Sequence, residues 1–345
     1  MFPMSSHDRK IRSRFRGALL GCAVGDALGF PYQDYSRSFM RSLLGPVTAG
    51  FSRHHSGFYP IGQYADDTQM AQAVAEAIIE AGGIEGQAIG EHLIPLWRDQ
   101  LVVDRSAATT EAIDKLVRGE VTWQNSGLPM GRIESGSLPF VLPVALWDHQ
   151  RPESLPADVE VAVMIAHRDP RAIAAGSALA AALAHNVVSN DLILGSFLDG
   201  VAQAAGRFYG ELAELVLDFP RFLSQTEYRA MEGFAGFAAG ALGDRPSEFD
   251  EGVTENALHT ALAVLYYFLK CPFDYEKAVE SSLRAGGDVD TVSALLGALS
   301  GGLLGVEAIP ASLTSSVLDG NAILDRADRL FDRWKERGGG EARDD

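Results

Sequence analysis

The stretch Gly286-Gly287-Asp288-Val289-Asp290-Thr291 directly precedes a run of small, apolar residues from Val292 to Val306. A glycine pair suits a sharp turn, because glycine adopts backbone angles that bulkier residues resist. The stretch therefore predicts a tight turn that delivers two carboxylates and a hydroxyl to the start of a helix. Asp290 and Thr291 are the candidate N-caps, since either side chain can accept a hydrogen bond from the first-turn amides.

A second acidic pair lies more than 200 positions upstream, where Asp66, Asp67 and Thr68 precede a helix-like segment that stops at Gly82. If the two helix starts face each other, they offer four carboxylates and two hydroxyls. Hard cations such as Mg²⁺ prefer oxygen shells of this kind. The alternative is that each aspartate only caps its own helix. Spacing leaves open whether the two starts meet in space.

Two sets of glycines recur every four residues, a spacing that places each set on one face of a helix. Glycine costs roughly 1 kcal/mol relative to alanine inside a helix, so bare faces of this kind need a packing reason. We expect the two striped helices to pack near each other, or against a common partner, beneath the acidic residues. The sets are Gly17, Gly21, Gly25 and Gly29, and Gly297, Gly301 and Gly305.

Three blocks occur in order along the chain: residues 17–29 (GALLGCAVGDALG), 64–68 (YADDT) and 286–291 (GGDVDT). Together they resemble the ADP-ribosylglycohydrolase family, over about residues 14 to 310. The resemblance implies an all-α, single-domain, orthogonal multi-helix fold with two Mg²⁺ ions in a cleft, Mn²⁺ being the alternative ion. We expect the domain to cover residues 11–335, with loose tails at 1–10 and 336–345.

The resemblance also implies a reaction, the hydrolysis of the glycosidic bond at C1'' of ADP-ribose attached to a protein side chain or a small molecule. Two metals can orient the ribose hydroxyls, activate a water and stabilise developing charge. Asp67 and Asp288 are the candidate catalytic residues, and Asp290 is the candidate bridge between the ions. The implied metal ligands are Asp66, Asp67, Asp288, Asp290 and Thr291. The leaving group, whether arginine, serine or another, stays open.

The family's phosphate- and ribose-binding loop aligns with Glu134 to Pro139. Small residues and free amides suit such a loop. A capping turn before residues 141–147 is the alternative reading of the loop, and a structural hydrogen-bonding role is the alternative for His167. The implied substrate-binding residues are Gln33, Ser135, Gly136, Ser137 and His167.

Three positions depart from the family pattern. Gln33 stands where the family commonly has a glutamate that reaches the metal centre, Ala65 replaces a threonine ligand, and Phe140 stands at the place of an arginine. The first change removes a negative charge and the second removes a neutral ligand. Two alternatives to an active enzyme therefore stay open: a catalytically impaired binder of ADP-ribose or a related nucleotide, and a purely structural relative.

Composition and charge limit the partners. The 345 residues are 47% hydrophobic, which is ample for a large core, and the net charge is −17. That charge argues against binding nucleic acid or anionic membrane. It also requires metal ions and helix N-termini to neutralise an ADP-ribose pyrophosphate. No signal peptide is recognised, and we take residues 292–306, too short for a membrane span, as the longest uncharged apolar run. We expect a cytoplasmic protein.

Overall fold

The computed structural model describes residues 4–43, 46, 48–245 and 251–338. The described chain is helical and contains only isolated β-bridges, so the predicted all-α class is confirmed. Its helices are α1 (Ser6–Gly29), α2 (Arg37–Ser42), α3 (Asp66–Ala81), α4 (Gly86–Arg98), α5 (Ala107–Val117), α6 (Trp123–Ser126), α7 (Val141–Trp147), α8 (Leu155–Val163), α9 (Pro170–Val188), α10 (Leu194–Gly206), α11 (Gly210–Leu217), α12 (Phe219–Leu223), α13 (Glu227–Leu242), α14 (Ala257–Lys270), α15 (Tyr275–Leu283), α16 (Val289–Leu304), α17 (Ala311–Thr314) and α18 (Gly320–Glu336). Short 3₁₀ turns include Phe30–Tyr32, Ser135–Phe140 and Val306–Ala308.

Helices α1 and α16 form the centre of the fold and pack directly against each other. A Cβ atom added to Gly17 would overlap the carbonyl group of Gly301, and one added to Gly21 would overlap that of Gly297. The same contact continues to Gly29, where an added Cβ would meet the backbone of Asp290. The predicted pairing of the two glycine stripes is therefore confirmed, and it runs up to the acidic end of α16.

One hydrophobic cluster surrounds this pair and extends from Ile11 to Trp334. Helix α9 belongs to it. This helix is long and apolar enough to cross a membrane, but 78% of the apolar window is buried inside the fold. It is therefore a core helix here. It is longer than the uncharged run at residues 292–306, but it includes the charged Arg171.

The first helix begins inside the expected tail at residues 1–10, whereas most of the expected tail at residues 336–345 is not described. Helix α1 already begins at Ser6, because the Ser5 side chain accepts a hydrogen bond from the Asp8 amide at 3.0 Å and caps it. Lys335 of α18 forms an ion pair with Asp8 at 2.7 Å, which holds this first turn. At the other end, residues 339–345 lie outside the described chain.

Candidate active site

The turn before α16 has the glycine geometry that the sequence predicts. Gly286 and Gly287 have φ angles of 74° and 77°, in the left-handed region that favours glycine. The backbone of Val253 pairs with this turn, donating to the Gly286 carbonyl at 2.9 Å and accepting from the Asp288 amide at 2.8 Å. On its other side, the Gly287 carbonyl accepts from the Asp34 amide at 3.0 Å. Two separate segments therefore fix the start of α16.

The N-cap of α16 is Asp288, so the expectation that Asp290 or Thr291 caps this helix was wrong. The side chain of Asp288 makes no capping hydrogen bond. Its Oδ2 atom accepts instead from the Ser135 hydroxyl at 2.9 Å and from the Thr260 hydroxyl at 3.4 Å. Asp290 lies in the first turn of the helix, so capping does not account for either carboxylate.

Helix α3 is capped by a residue from another helix. Its own N-cap, Ala65, has no side chain that could accept a hydrogen bond, and the aspartates of its first turn do not cap it. Buried Asp26 of α1 accepts from the Ala65 amide at 2.7 Å, the Thr68 amide at 3.0 Å and the Thr68 hydroxyl at 2.6 Å. Burial raises the pKa of Asp26 to about 6 although these three donors oppose the shift. Asp26 therefore ties the start of α3 to α1, a role that sequence reasoning missed.

We expect Asp26→Asn to destabilise the protein by about 2 kcal/mol. An asparagine offers one acceptor oxygen, and its NH₂ group would face a buried donor at the start of α3. The measurement is the free energy of unfolding in urea at pH 8, where Asp26 is ionised in the native protein. A variant as stable as the parent would show that this contact does not hold α3.

The starts of α3 and α16 meet at one pocket of about 250 Å³, which we call the acidic pocket. It brings together most of the predicted site residues from segments more than 200 positions apart. The predicted residues in its lining are Gln33, Asp66, Asp67, Ser135, Gly136, Asp288, Asp290 and Thr291.

The carboxylates of this pocket are electrostatically strained. Burial raises the pKa of Asp67 and Asp290 well above the usual value, and the neighbouring aspartates raise it further. The pKa values of Asp66 and Asp288 are raised as well, again with burial as the main cause. Asp67 Oδ2 and Asp290 Oδ1 are buried without a hydrogen-bond partner in the described chain. Such oxygens are uncommon in folded proteins and call for a compensating group.

Divalent cations fit the chemistry of these donors. The buried carboxylates of Asp67, Asp288 and Asp290, the half-buried one of Asp66 and the Thr291 hydroxyl are hard oxygen ligands of the type that Mg²⁺ and Mn²⁺ accept. Within the part of the chain that the structure describes, however, no three His, Cys, Asp or Glu side chains form a ready-made metal site. The fit therefore rests on donor type, burial and the two unpartnered oxygens.

Two predicted substrate-binding residues, Ser137 and His167, lie behind the acidic pocket and are fully buried. His167 contacts the Ser137 hydroxyl through Nδ1 at 2.9 Å and the Glu134 carboxylate through Nε2 at 3.2 Å. Burial would raise the pKa of Glu134, but hydrogen bonds with His167 and Arg132 outweigh it and lower the pKa to about 2. In this structure the chain of contacts supports the loop whose Ser135 and Gly136 reach the pocket.

The lining also contains acidic residues that were not among the predicted site residues. Asp34 and Asp104 both have positive φ angles, 64° and 52°, which are uncommon for residues other than glycine. Glu255 is the third, and Arg105 adds a cation. Asp34 follows Gln33 and keeps a carboxylate beside that uncharged side chain. Asp104 and Glu255 stand alone in the sequence, so no spacing signal pointed to them.

Comparisons with known proteins point to one family. The profile of the ADP-ribosylglycohydrolase family matches residues 7–340. The ADP-ribosyl-[dinitrogen reductase] glycohydrolase of Rhodospirillum rubrum is 26% identical, with 91% of each chain covered. The ADP-ribosylarginine hydrolase Tri1 of Pseudomonas putida is 23% identical, over 93% of this chain and 78% of that protein. An uncharacterized protein of Archaeoglobus fulgidus is 27% identical, over 84% and 88%.

A solved structure shows the same fold. It is described as an ADP-ribosylglycohydrolase-related protein complex, with a TM-score of 0.73 and 21% identity, over 94% of this chain and 99% of that one. The family profile covers almost the whole chain, and the blocks that carry the resemblance line or support one pocket. The chain therefore belongs to the ADP-ribosylglycohydrolase family.

Proposed function

We propose that the acidic pocket binds two divalent cations, Mg²⁺ or Mn²⁺, and hydrolyses the glycosidic bond at C1'' of an ADP-ribosyl group on a protein side chain or small molecule. Family membership supports the hydrolysis of ADP-ribose linkages. The observation that carries the metal part is the meeting of four largely buried aspartates from two helix starts, with Asp67 Oδ2 and Asp290 Oδ1 unpartnered.

The free-energy cost of burying these carboxylates supports the proposal that cations bind here. Each buried carboxylate that is ionised without a partner costs several kcal/mol. The positive ends of α3 and α16 and the rim residue Arg105 supply only part of the compensation. Two divalent cations would neutralise the four aspartates. They would also reduce the repulsion between this negatively charged chain and an anionic ADP-ribosyl substrate.

The residues of the acidic pocket divide into those that would hold the metals and those that would take part in proton transfer. Asp66, Asp288, Asp290 and Thr291 would hold the metals, with Asp290 as the bridge. Bound metals supply charge stabilisation and a water of lowered pKa. The Ser135 hydroxyl fixes Asp288 Oδ2, whereas Asp67 Oδ2 is unpartnered. Asp67 is therefore better placed than Asp288 to accept a proton from the attacking water, although it can also serve as a ligand.

The experiment is a panel of ADP-ribosylated arginine, serine and small-molecule substrates, each incubated with the protein in Mg²⁺, in Mn²⁺ and in EDTA. We expect free ADP-ribose to be released from at least one substrate with metal and not in EDTA. Equal release in EDTA would contradict the metal part of the proposal. No release from any substrate would contradict the hydrolytic part.

A catalytically impaired binder of ADP-ribose remains the second candidate, because Gln33 and Ala65 remain departures in the structure. Gln33 lines the pocket without a charge, and Ala65 offers the start of α3 only its backbone amide, which donates to Asp26. Heat stabilisation by ADP-ribose that needs Mg²⁺, without turnover, would select this candidate. A purely structural relative would show no stabilisation.

Metal binding should depend on pH in a defined direction. The pKa values of Asp66, Asp67, Asp288 and Asp290 are raised in the folded chain, so folding favours their protonated forms. Their contribution to stability is complete below the unfolded pKa and is lost as pH rises through the raised values. A metal binds the ionised forms and reverses this loss. We expect Mg²⁺ to raise the melting temperature more at pH 8 than at pH 6. An equal shift at both values would contradict the assignment.

A further inference from the structure

A second cavity, of about 470 Å³, lies between α9, α10 and the segment after α7. It shares no lining residue with the acidic pocket. Arg14 of α1 shows how far this cavity lies from the acidic pocket. Its side chain donates to the carbonyl of Val187 at 2.8 Å, and the next residue, Val188, lines the cavity. Arg14 precedes Asp26 by twelve residues, or about 18 Å along the helix. The cavity is therefore separate from the proposed catalytic centre.

The walls of this cavity resemble those of a small-molecule site. Such sites commonly occupy 300–1,000 Å³ and combine apolar walls with a few polar groups. Helix α9 contributes Ala181 and Ala184, α10 contributes Phe197 and Ala204, and α8 contributes its first residue, Leu155. The polar side chains in the lining are His149, Glu153, His185, Ser196, Gln203 and Arg207.

The two imidazoles of the lining are uncharged at neutral pH. Burial lowers the pKa of His149 to about 4, and burial also lowers the pKa of His185. His149 Nδ1 lies 2.6 Å from the Leu146 carbonyl and therefore donates to it, which leaves Nε2 as an acceptor. That Nε2 atom has no hydrogen-bond partner in the described chain. The buried wall therefore carries no charge and is compatible with an apolar body.

The rim supplies a positive charge. Arg207 is exposed and donates through Nη1 to the carbonyl of Glu153 at 3.1 Å. Among the described residues it makes no ion pair with a carboxylate. The Glu153 side chain, the other charge of the lining, likewise makes no ion pair there. Its guanidinium therefore leaves donors free at the mouth of the cavity, where they can bind an anionic group.

We propose that this cavity is a second ligand site for a flat organic anion, whose apolar body lies between α9 and α10 and whose anionic group binds Arg207. The site does not depend on the proposed catalytic function. Its ligand class is the one that combines a ring system of naphthalene or nucleobase size with a single negative group at one end.

Two dyes that differ only in charge test the proposal. Anilinonaphthalene sulfonate carries an anionic group on a flat amine, and phenylnaphthylamine has the same body without the charge. We expect the full chain to bind one sulfonate dye and to prefer it about tenfold over the neutral dye. In Arg207→Gln the sulfonate dye should weaken about tenfold while the neutral dye is unchanged.

A blocking variant with a matched control locates the binding. Gly200 lines the cavity, and Gly195 lies on the same helix outside it; a Cβ added to either meets nothing within 4 Å. Gly200→Phe should remove binding of both dyes, and Gly195→Phe should leave it unchanged, with melting curves showing that both variants fold. Equal binding in the two phenylalanine variants, or equal affinity for the two dyes in the unmodified chain, would overturn the proposal.

Discussion

Asp290→Asn should reduce hydrolysis of an ADP-ribosylated substrate by roughly a thousandfold while leaving the fold intact. The substitution keeps the shape of a buried side chain but removes the negative charge proposed to bridge two cations. Loss of several kcal/mol of charge stabilisation corresponds to this factor, at about 1.4 kcal/mol per tenfold change in rate. The measurement is kcat with saturating Mg²⁺ on whichever substrate the panel identifies.

Asp274→Asn is the matched control. Asp274 caps α15, where its side chain accepts from the Lys277 amide at 3.0 Å, and it lies outside the acidic pocket. Asparagine caps a helix about as well as aspartate, so this variant should keep both stability and activity. If Asp290→Asn behaved like Asp274→Asn in the activity assay, Asp290 would have no special part in the reaction.

Gly21→Val should destabilise the protein by about 3 kcal/mol or more. A side chain at this position would overlap the Gly297 carbonyl group, and the helices cannot separate there without losing the neighbouring contact between Gly17 and Gly301. The hydroxyl of Tyr275 also donates to the Gly21 carbonyl at 3.1 Å, which further fixes the backbone. Urea unfolding monitored by circular dichroism gives the change in free energy.

Gly195→Val is the control for this prediction, because its added side chain enters open space on α10. A valine is also the better helix former, so the control should be no less stable than the parent protein by more than about 0.5 kcal/mol. Similar stability of the two valine variants would mean that α1 and α16 are not in close contact in solution.

Local spacing accounts for the features that could be predicted. Glycines four residues apart must share one helical face, so their packing role followed from helix geometry alone. The paired aspartates at the two predicted helix starts were also visible in the local sequence. Their meeting at one pocket did not follow from spacing, because it depends on how α1 and α16 bring together segments that are far apart in sequence.

Tertiary contacts account for the features that were missed or wrong. Asp26 caps a helix that begins 40 residues later, and no sequence pattern links a carboxylate to a cap at that distance. Asp288, and not Asp290, is the N-cap residue of α16. The Asp288 side chain accepts a hydrogen bond from Ser135, which lies in a loop more than 150 positions away in sequence. Residues 6–10 are polar and resemble a loose tail in sequence, but the ion pair between Asp8 and Lys335 holds their helical turn against α18.

Metal counting tests the central claim most directly. The protein and its Asp290→Asn variant would be equilibrated with Mn²⁺ at pH 8, freed of unbound ion and measured by elemental analysis, beside a melting curve of each. We expect two ions per chain in the unmodified protein and at most one in the variant, with both proteins folded. No bound ion in the unmodified protein, or two ions in both proteins, would contradict a two-metal centre bridged by Asp290.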